Sequence, residues 1–339
     1  MGEIVSALAM SHAPGLISLP DAVPEEQRRE LDAGFEAARA HLDRAKPDVI
    51  IAFINDHFEN FFGKLMPTFA IGVGDENYGP PRHYEEWLQL KRRPVPAAPD
   101  YARHLLKSVI GQDFDVAQVD ATYEFGHNLI APLLAVRPEF DIPIVPVVTN
   151  VFTPPFASPR RSFELGKAIR RAIEERPERV GLLATGALSH YAPVWYRGKN
   201  DDDPLMRRMG RLQTQGLSAV EDDPTLMVDV GRREEEMAAR GRGIIRPEWD
   251  REILDAFARG DVEFLSTLDS ETIESRGGNG GHEIRNWITL LGAVGPLTAE
   301  VSFYVEAHEW LTGMGLITYE KSLSAAPVEG QSDERVVQA

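Results

Sequence analysis

The chain has 339 residues, 43% of them hydrophobic and 26% charged, an ordinary globular composition long enough to bury a large core. A formal charge of −17 without a concentrated basic run argues against nucleic acid and against an anionic membrane surface as partners. The absence of cysteine excludes disulfides, thiolate-held zinc, iron–sulfur clusters and thiol nucleophiles.

Ile4 to Met10 reads as a strand that delivers the chain to Ser11-His12-Ala13-Pro14. The start is acidic and only briefly apolar, unlike a secretory signal. No run approaches the roughly 18 apolar residues of a membrane span, so a soluble, cytoplasmic protein is expected. Glu25 to Ala45 is rich in Glu, Arg, Ala and Leu and reads as a helix ended by Pro47. Asp48 to Ile54 is nearly all apolar, as in a strand buried on both faces, and runs into Asn55-Asp56-His57. Thr68 to Val73 is a further strand. Residues 74–99, with five prolines and several aromatics, read as one long functional loop.

Tyr101 to Ile110 reads as helix, Phe114 to Val119 as strand, and Gly126-His127-Asn128 opens the apolar run Leu129 to Val136. Ile142 to Val148 is a strand, Ser162 to Glu175 a helix, and Arg179 to Ala187 a strand that ends at Ser189-His190. Residues 204–268 turn helical and charged. The acidic runs Asp201-Asp202-Asp203 and Glu234-Glu235-Glu236 are expected to face solvent, since neither has the spacing of a calcium loop. A glycine-rich loop then leads into His282-Glu283 and a helix to Gly292, followed by closing strands at Val301 to Val305 and Leu316 to Tyr319. The alternation of strand, polar loop and helix predicts an α/β fold, a mostly buried mixed sheet flanked by helices. His12, His57 and His190 each follow a strand, and open α/β sheets gather catalytic groups at strand carboxyl ends. Residues 1–320 are expected to form a single catalytic domain and 321–339 a disordered tail.

Two imidazoles and one carboxylate on one face of a divalent metal leave positions open, an arrangement suited to non-heme Fe(II) enzymes. From the residues themselves, either His282 or Glu283 could supply the third ligand beside His12 and His57. Asn55 or Asp56 could orient the His57 ring. His41 and His104, among charged neighbours, are expected at the surface. His83 and His308 carry no metal signal.

In order along residues 1–320, the motifs Ala9-Met10-Ser11-His12-Ala13-Pro14, Phe53-Ile54-Asn55-Asp56-His57-Phe58-Glu59-Asn60, Gly126-His127, Gly186-Ala187-Leu188-Ser189-His190, Gly281-His282-Glu283-Ile284-Arg285-Asn286-Trp287 and Trp310-Leu311-Thr312-Gly313 carry a resemblance. The chain resembles the class III (LigB-type) extradiol ring-cleavage dioxygenases, the group of the protocatechuate 4,5-dioxygenase catalytic subunit. The resemblance implies a LigB-like core, Fe(2+) held by His12, His57 and Glu283, His190 as catalytic base, and His127 as a second histidine near the substrate. It implies an aromatic diol and dioxygen as substrates, with the ring opened next to the hydroxyl pair and no nicotinamide or flavin. A homo-oligomer is expected, and some members pair with a small second subunit. Arg285, Tyr191, Tyr196 and Thr312 are candidate contacts to the ring substituents. Two readings of other classes stay open: a metal-dependent hydrolase, because two His and a Glu also suit zinc, and a non-catalytic metal-binding module on the same fold.

Overall fold

A computed structural model describes residues 1–240 and 245–325. In chain order its strands are β1 (Glu3–Met10), β2 (Val49–Ile54), β3 (Phe69–Gly72), β4 (Asn77–Gly79), β5 (Arg93–Val95), β6 (Ala117–Val119), β7 (Tyr123–Glu124), β8 (Ile144–Thr149), β9 (Arg179–Thr185), β10 (Glu300–Ala307) and β11 (Thr312–Thr318). Eight of them form the central sheet, in the order β10-β11-β1-β9-β2-β8-β3-β6. β1, β9, β2 and β8 run parallel, while β11 joins β1 and β3 joins β8 antiparallel. The sheet is therefore mixed, with a parallel centre whose strands all end on one edge.

Side chains alternate across a strand, and here both faces are apolar. Val49, Ile51 and Phe53 enter one core with the helices Pro99–Ile110, Pro159–Glu174, Pro247–Arg259 and Ile284–Val294. Ile50, Ala52 and Ile54 enter the other, with Glu25–Ala45 and His127–Val136. This layering explains the uninterrupted apolar reading of β2. The helix Glu25–Ala45 keeps its expected bounds, closed by Lys46 in the left-handed conformation ahead of Pro47.

Two expectations need correction. Residues 74–99 are not one loop: β4 pairs with β5 and β7 in a small second sheet, and a short helical stretch, Arg82–Leu88, lies between β4 and β5. The prolines sit where β-pairing tolerates them, Pro94 on the edge strand β5 and the others outside the ladder. The tail expected from 321 begins instead as a helix, Glu320–Ala325. It is tied down where Tyr319 N donates to Ala7 O and Glu320 pairs with Arg44 (2.6 Å) and His41 (3.5 Å). The rest of that expected tail, 326–339, lies outside the described residues. The same helix contact explains His41, which is buried rather than at the surface. His104 is half-buried, its Nε2 3.0 Å from Ala172 O.

Candidate metal centre

The carboxyl ends of β1, β2 and β9 stand side by side, and the loops leaving them carry His12, His57 and His190. Glu283 reaches the same point from the far side, at the start of helix Ile284–Val294, where a carboxylate is favoured by the helix dipole. It is fully buried. Its Oε2 lies 3.3 Å from His12 Nε2 and its Oε1 3.2 Å from His57 Nε2. Asn55 Nδ2 donates to Oε1 (3.0 Å) and Ala187 N to Oε2 (2.5 Å). Burial acts to raise the Glu283 carboxyl, yet the surrounding imidazoles of His12 and His190 outweigh it and hold the group well below the usual carboxylate range.

His190 stands 3.9 Å from Glu283 Oε1. Burial pushes its imidazole down to about 4, so it is neutral at pH 7. Burial, then the neighbouring His57 and His12, put His127 well below its ordinary value as well. The His127 ring stacks on His57 at 4.3 Å and 22°.

Each loop is fixed by bonds outside the cluster. Ser11 Oγ donates to Gly313 O and accepts from Gly315 N, tying the His12 turn to β11. Phe58 has φ 67°, a conformation a bulky residue adopts only when its surroundings hold it there. Glu59 accepts from His57 N (2.5 Å), and its Oε1 lies 3.8 Å from His57 Nδ1. Asp56 instead accepts from Asn60 N and Phe61 N and closes the turn, and Asn55 meets the His57 ring only through its Nδ2, 3.2 Å from Nε2, so neither expected orienter accepts from the ring. His190 is clamped by Gly277 O and Gly280 N. A Cβ on Gly280 would come within 2.0 Å of the His190 ring, so only glycine fits there.

The arrangement can take a cation. Both ring nitrogens of His12 are buried without a hydrogen-bond partner, as are Nδ1 of His57, His127 and His190. A buried carboxylate with no Lys or Arg against it among the described residues needs a positive partner. Atoms bound to one metal at ordinary distances and right angles stand about 3 Å apart, close to the spacing of Glu283 from both imidazoles. His12, His57 and His127 form a second possible donor set, with ligating atoms within 4.8 Å of one another.

From this cluster opens a cavity of about 340 Å³, walled on the other sides by Tyr84 and Trp87, Met209, Met227 and Trp310. Tyr191 and Thr312 line it. Tyr196 lines a neighbouring groove instead. Arg285 is fully buried, bonded to Ala157 O, His282 and Ser270, and does not reach the cavity. In the acidic run, Asp201 and Asp202 are exposed, as expected, while Asp203 caps the helix Pro204–Gln215 and Asp201 accepts from Trp195 Nε1. Glu235 and Glu236 are exposed, as expected, while Glu234 is half-buried; Glu234 and Glu235 stand at the edge of the cavity, which their helix (Leu226–Ala239) borders.

A family described as the catalytic LigB subunit of aromatic ring-opening dioxygenase matches residues 6–315. The chain belongs to the LigB family. Among its relatives is a 2,3-dihydroxyphenylpropionate/2,3-dihydroxicinnamic acid 1,2-dioxygenase of Paraburkholderia phymatum, 32% identical over 323 residues, covering 93% of this chain and 97% of the relative. Another of that activity, from Dechloromonas aromatica, is 29% identical over 296 residues, covering 85% and 91%. The crystal structure of an uncharacterised Escherichia coli K12 protein covers 92% of this chain and 98% of its own, at 16% identity and a TM-score of 0.49. LigB extradiol dioxygenases are metal-dependent, in keeping with the buried histidines gathered here.

Several members of this LigB site carry no signal of their own in the sequence. Asp250 accepts from Ser189 N (2.8 Å), Ser189 Oγ (2.7 Å) and Tyr304 (2.8 Å), and so anchors the turn before His190 from a helix 61 residues further along the chain. Asn286 could have been found. It lies three residues beyond Glu283, on the same helix face, and its Nδ2 holds Asn55 Oδ1 (3.0 Å) and Thr185 O (2.8 Å).

Proposed function

We propose that this LigB chain is a non-heme Fe(II)-dependent extradiol dioxygenase that adds both atoms of dioxygen to a catechol-type ring and opens it beside the hydroxyl pair. Residues 1–320 act in this reading as one catalytic unit. His12, His57 and Glu283 are the metal ligands, His190 is the catalytic base, and His127 is a second histidine at the substrate. The observation that carries the assignment is the approach of the two Glu283 oxygens to the Nε2 atoms of His12 and His57, at 3.3 and 3.2 Å, in the floor of the cavity.

The three-histidine set is the weaker choice on stereochemistry. Imidazole lone pairs lie in the ring plane, and the nearly parallel His57 and His127 rings are stacked face to face. Their lone pairs therefore do not converge on one point, so His12, His57 and Glu283 are the residues that would hold the metal. His127 is then free to face the substrate.

Bound Fe(II) would supply adjacent open positions for the two catechol oxygens and for dioxygen, together with a path for electrons from one to the other. The chain's own groups do the rest. His190, neutral at pH 7 because burial lowers its pKa to about 4, has a free lone pair and takes the proton of the catechol hydroxyl that ionises. Once charged, it is stabilised by the neighbouring Glu283 carboxylate and can return the proton to the opened product. His127, also neutral, offers a hydrogen bond to the ring oxygens. Trp87, Met209, Met227 and Trp310 exclude bulk water and hold the ring.

Anaerobic protein loaded with Fe(II), given a colourless catechol and then air, should produce a yellow ring-opened aldehyde. Loss of the catechol without colour, or activity that zinc alone restores, would count against the dioxygenase reading and for a hydrolase.

A further inference from the structure

A series of hydrogen bonds leads away from the candidate metal centre through three fully buried side chains, Glu283, Asn55 and Asn286. Asn55 Nδ2 donates to Glu283 Oε1 (3.0 Å). Asn286 Nδ2 donates to Asn55 Oδ1 (3.0 Å) and to Thr185 O (2.8 Å). Thr185 closes β9, and Asn286 lies in the first turn of the helix Ile284–Val294.

The direction of this series is set at both ends. Thr185 O is a backbone carbonyl and can only accept, so Asn286 must turn its nitrogen toward it. That nitrogen also faces Asn55, which must then present its oxygen. The Asn55 nitrogen is left facing Glu283, whose carboxylate likewise only accepts. A flip of either amide would set oxygen against oxygen. The Asn55 backbone is pinned as well, because its O accepts from Asn128 Nδ2.

The other atom of the Asn286 amide points to the same donor role. Its Oδ1 is buried with no hydrogen-bond partner among the described residues. A buried acceptor left unmet costs free energy, and a leucine of similar shape would avoid that cost. Packing alone therefore does not account for an amide at this position; the N–H groups it turns on Asn55 and Thr185 do. With Ala187 N on Oε2 (2.5 Å), the Asn55 bond gives each Glu283 oxygen one N–H. A hydrogen bond to a ligating carboxylate draws off part of its negative charge, and the carboxylate then favours ferric over ferrous iron less strongly.

We infer that Asn286 is a positioning residue for the metal centre: through Asn55 it aims an N–H at Glu283 Oε1 and so helps to keep bound iron ferrous. The inference rests on the proposed role of Glu283 as an iron ligand and adds the residue that sets the hydrogen bond to that ligand.

The test is the ferric/ferrous midpoint potential of the iron-loaded full chain, read by anaerobic redox titration with the ferric electron paramagnetic resonance signal as monitor. A residue that only supports the fold would change stability and not this potential. Asn55→Ala removes the N–H and should favour ferric iron by about tenfold, which is a potential about 59 mV lower for one electron. Asn286→Ala and Asn286→Leu free the Asn55 amide to turn and should lower the potential too, by no more than Asn55→Ala does. The two sites should not add: in a chain that already carries Asn55→Ala, Asn286→Leu should shift the potential no further. If either alanine variant does not fold, Asn286→Leu alone decides the matter. A potential that the Asn286 variants leave unchanged, or that they shift equally with and without Asn55, would overturn the inference. Glu283→Gln separates that failure from a failure of the reading beneath it. If it weakens Fe(II) binding while the asparagine variants leave the potential alone, only the inference falls. If it leaves Fe(II) binding unchanged, the ligand assignment falls as well.

Discussion

His190 and Glu283 stand 3.9 Å apart and do different work, so their variants should separate. In His190→Ala the three proposed ligands are untouched. Iron content, measured by metal analysis after anaerobic loading, should stay near one per chain while kcat falls by roughly 100- to 10,000-fold, the usual size of a general acid–base contribution. Loss of iron from that variant would make His190 a ligand, and full activity would remove it from catalysis. Glu283→Gln keeps shape and hydrogen-bonding capacity but removes the buried negative charge between His12 and His57. It should bind Fe(II) at least tenfold more weakly in an anaerobic titration. Unchanged affinity would transfer the ligand role to His127. At this scale His12, His57 and His190 could be picked out from the sequence because each follows an apolar strand. The sequence did not show Asp250, whose role comes from bonds to residues distant in the chain.

The elements around the site make a prediction of their own through Asp250, which joins helix Pro247–Arg259 to the turn at Ser189. Burial raises its carboxyl to about 6, against the lowering effect of the bonds from Ser189 and Tyr304. A carboxyl whose folded pKa is raised above its unfolded value of about 3.9 binds more protons in the folded state. Its stabilising effect is full below the unfolded value and is lost as pH rises through about 6. Between pH ~5 and ~7.5 that loss is about 1 kcal/mol, or roughly 2–4 °C in Tm. The Tm of the wild type minus that of Asp250→Asn should therefore fall by that amount over the interval, because the amide does not titrate. A difference that rises or stays flat with pH would contradict the raised pKa. The strands and long helices were legible because continuous apolar runs and Ala/Glu/Arg/Leu-rich stretches leave few alternatives, as in β2 and Glu25–Ala45. The short strands β4 and β5 were not, since three-residue segments rich in proline carry no period and pair only through tertiary contact. The helix Glu320–Ala325 was hidden for a similar reason: its Ser-rich composition suggests a tail, and Arg44 and His41 on another helix supply what fixes it.

At the scale of the whole molecule, the mixed sheet places three strand ends and one helix start around a single buried point, with a cavity of about 340 Å³ opening from it. No helix among the described residues is long and apolar enough to cross a membrane. The open side of such a centre would admit an oxidant as readily as dioxygen. Peroxide should therefore inactivate the Fe(II)-loaded protein, and ascorbate with fresh Fe(II) should restore it. Because the chain has no cysteine, thiol oxidation cannot produce the same loss. Inactivation that reductant and iron do not reverse would point to damage elsewhere in the chain.

The most direct measurement is single-turnover ring opening under isotopically labelled dioxygen. Anaerobic Fe(II)-loaded protein is mixed with a catechol, exposed to the labelled gas, and the product is analysed by mass spectrometry alongside chelator-treated and zinc-loaded controls. The account predicts a yellow product opened beside the diol with both oxygen atoms from the gas, formed only with Fe(II). A product cleaved between the two hydroxyls, oxygen drawn from water alone, or equal turnover with zinc would contradict it.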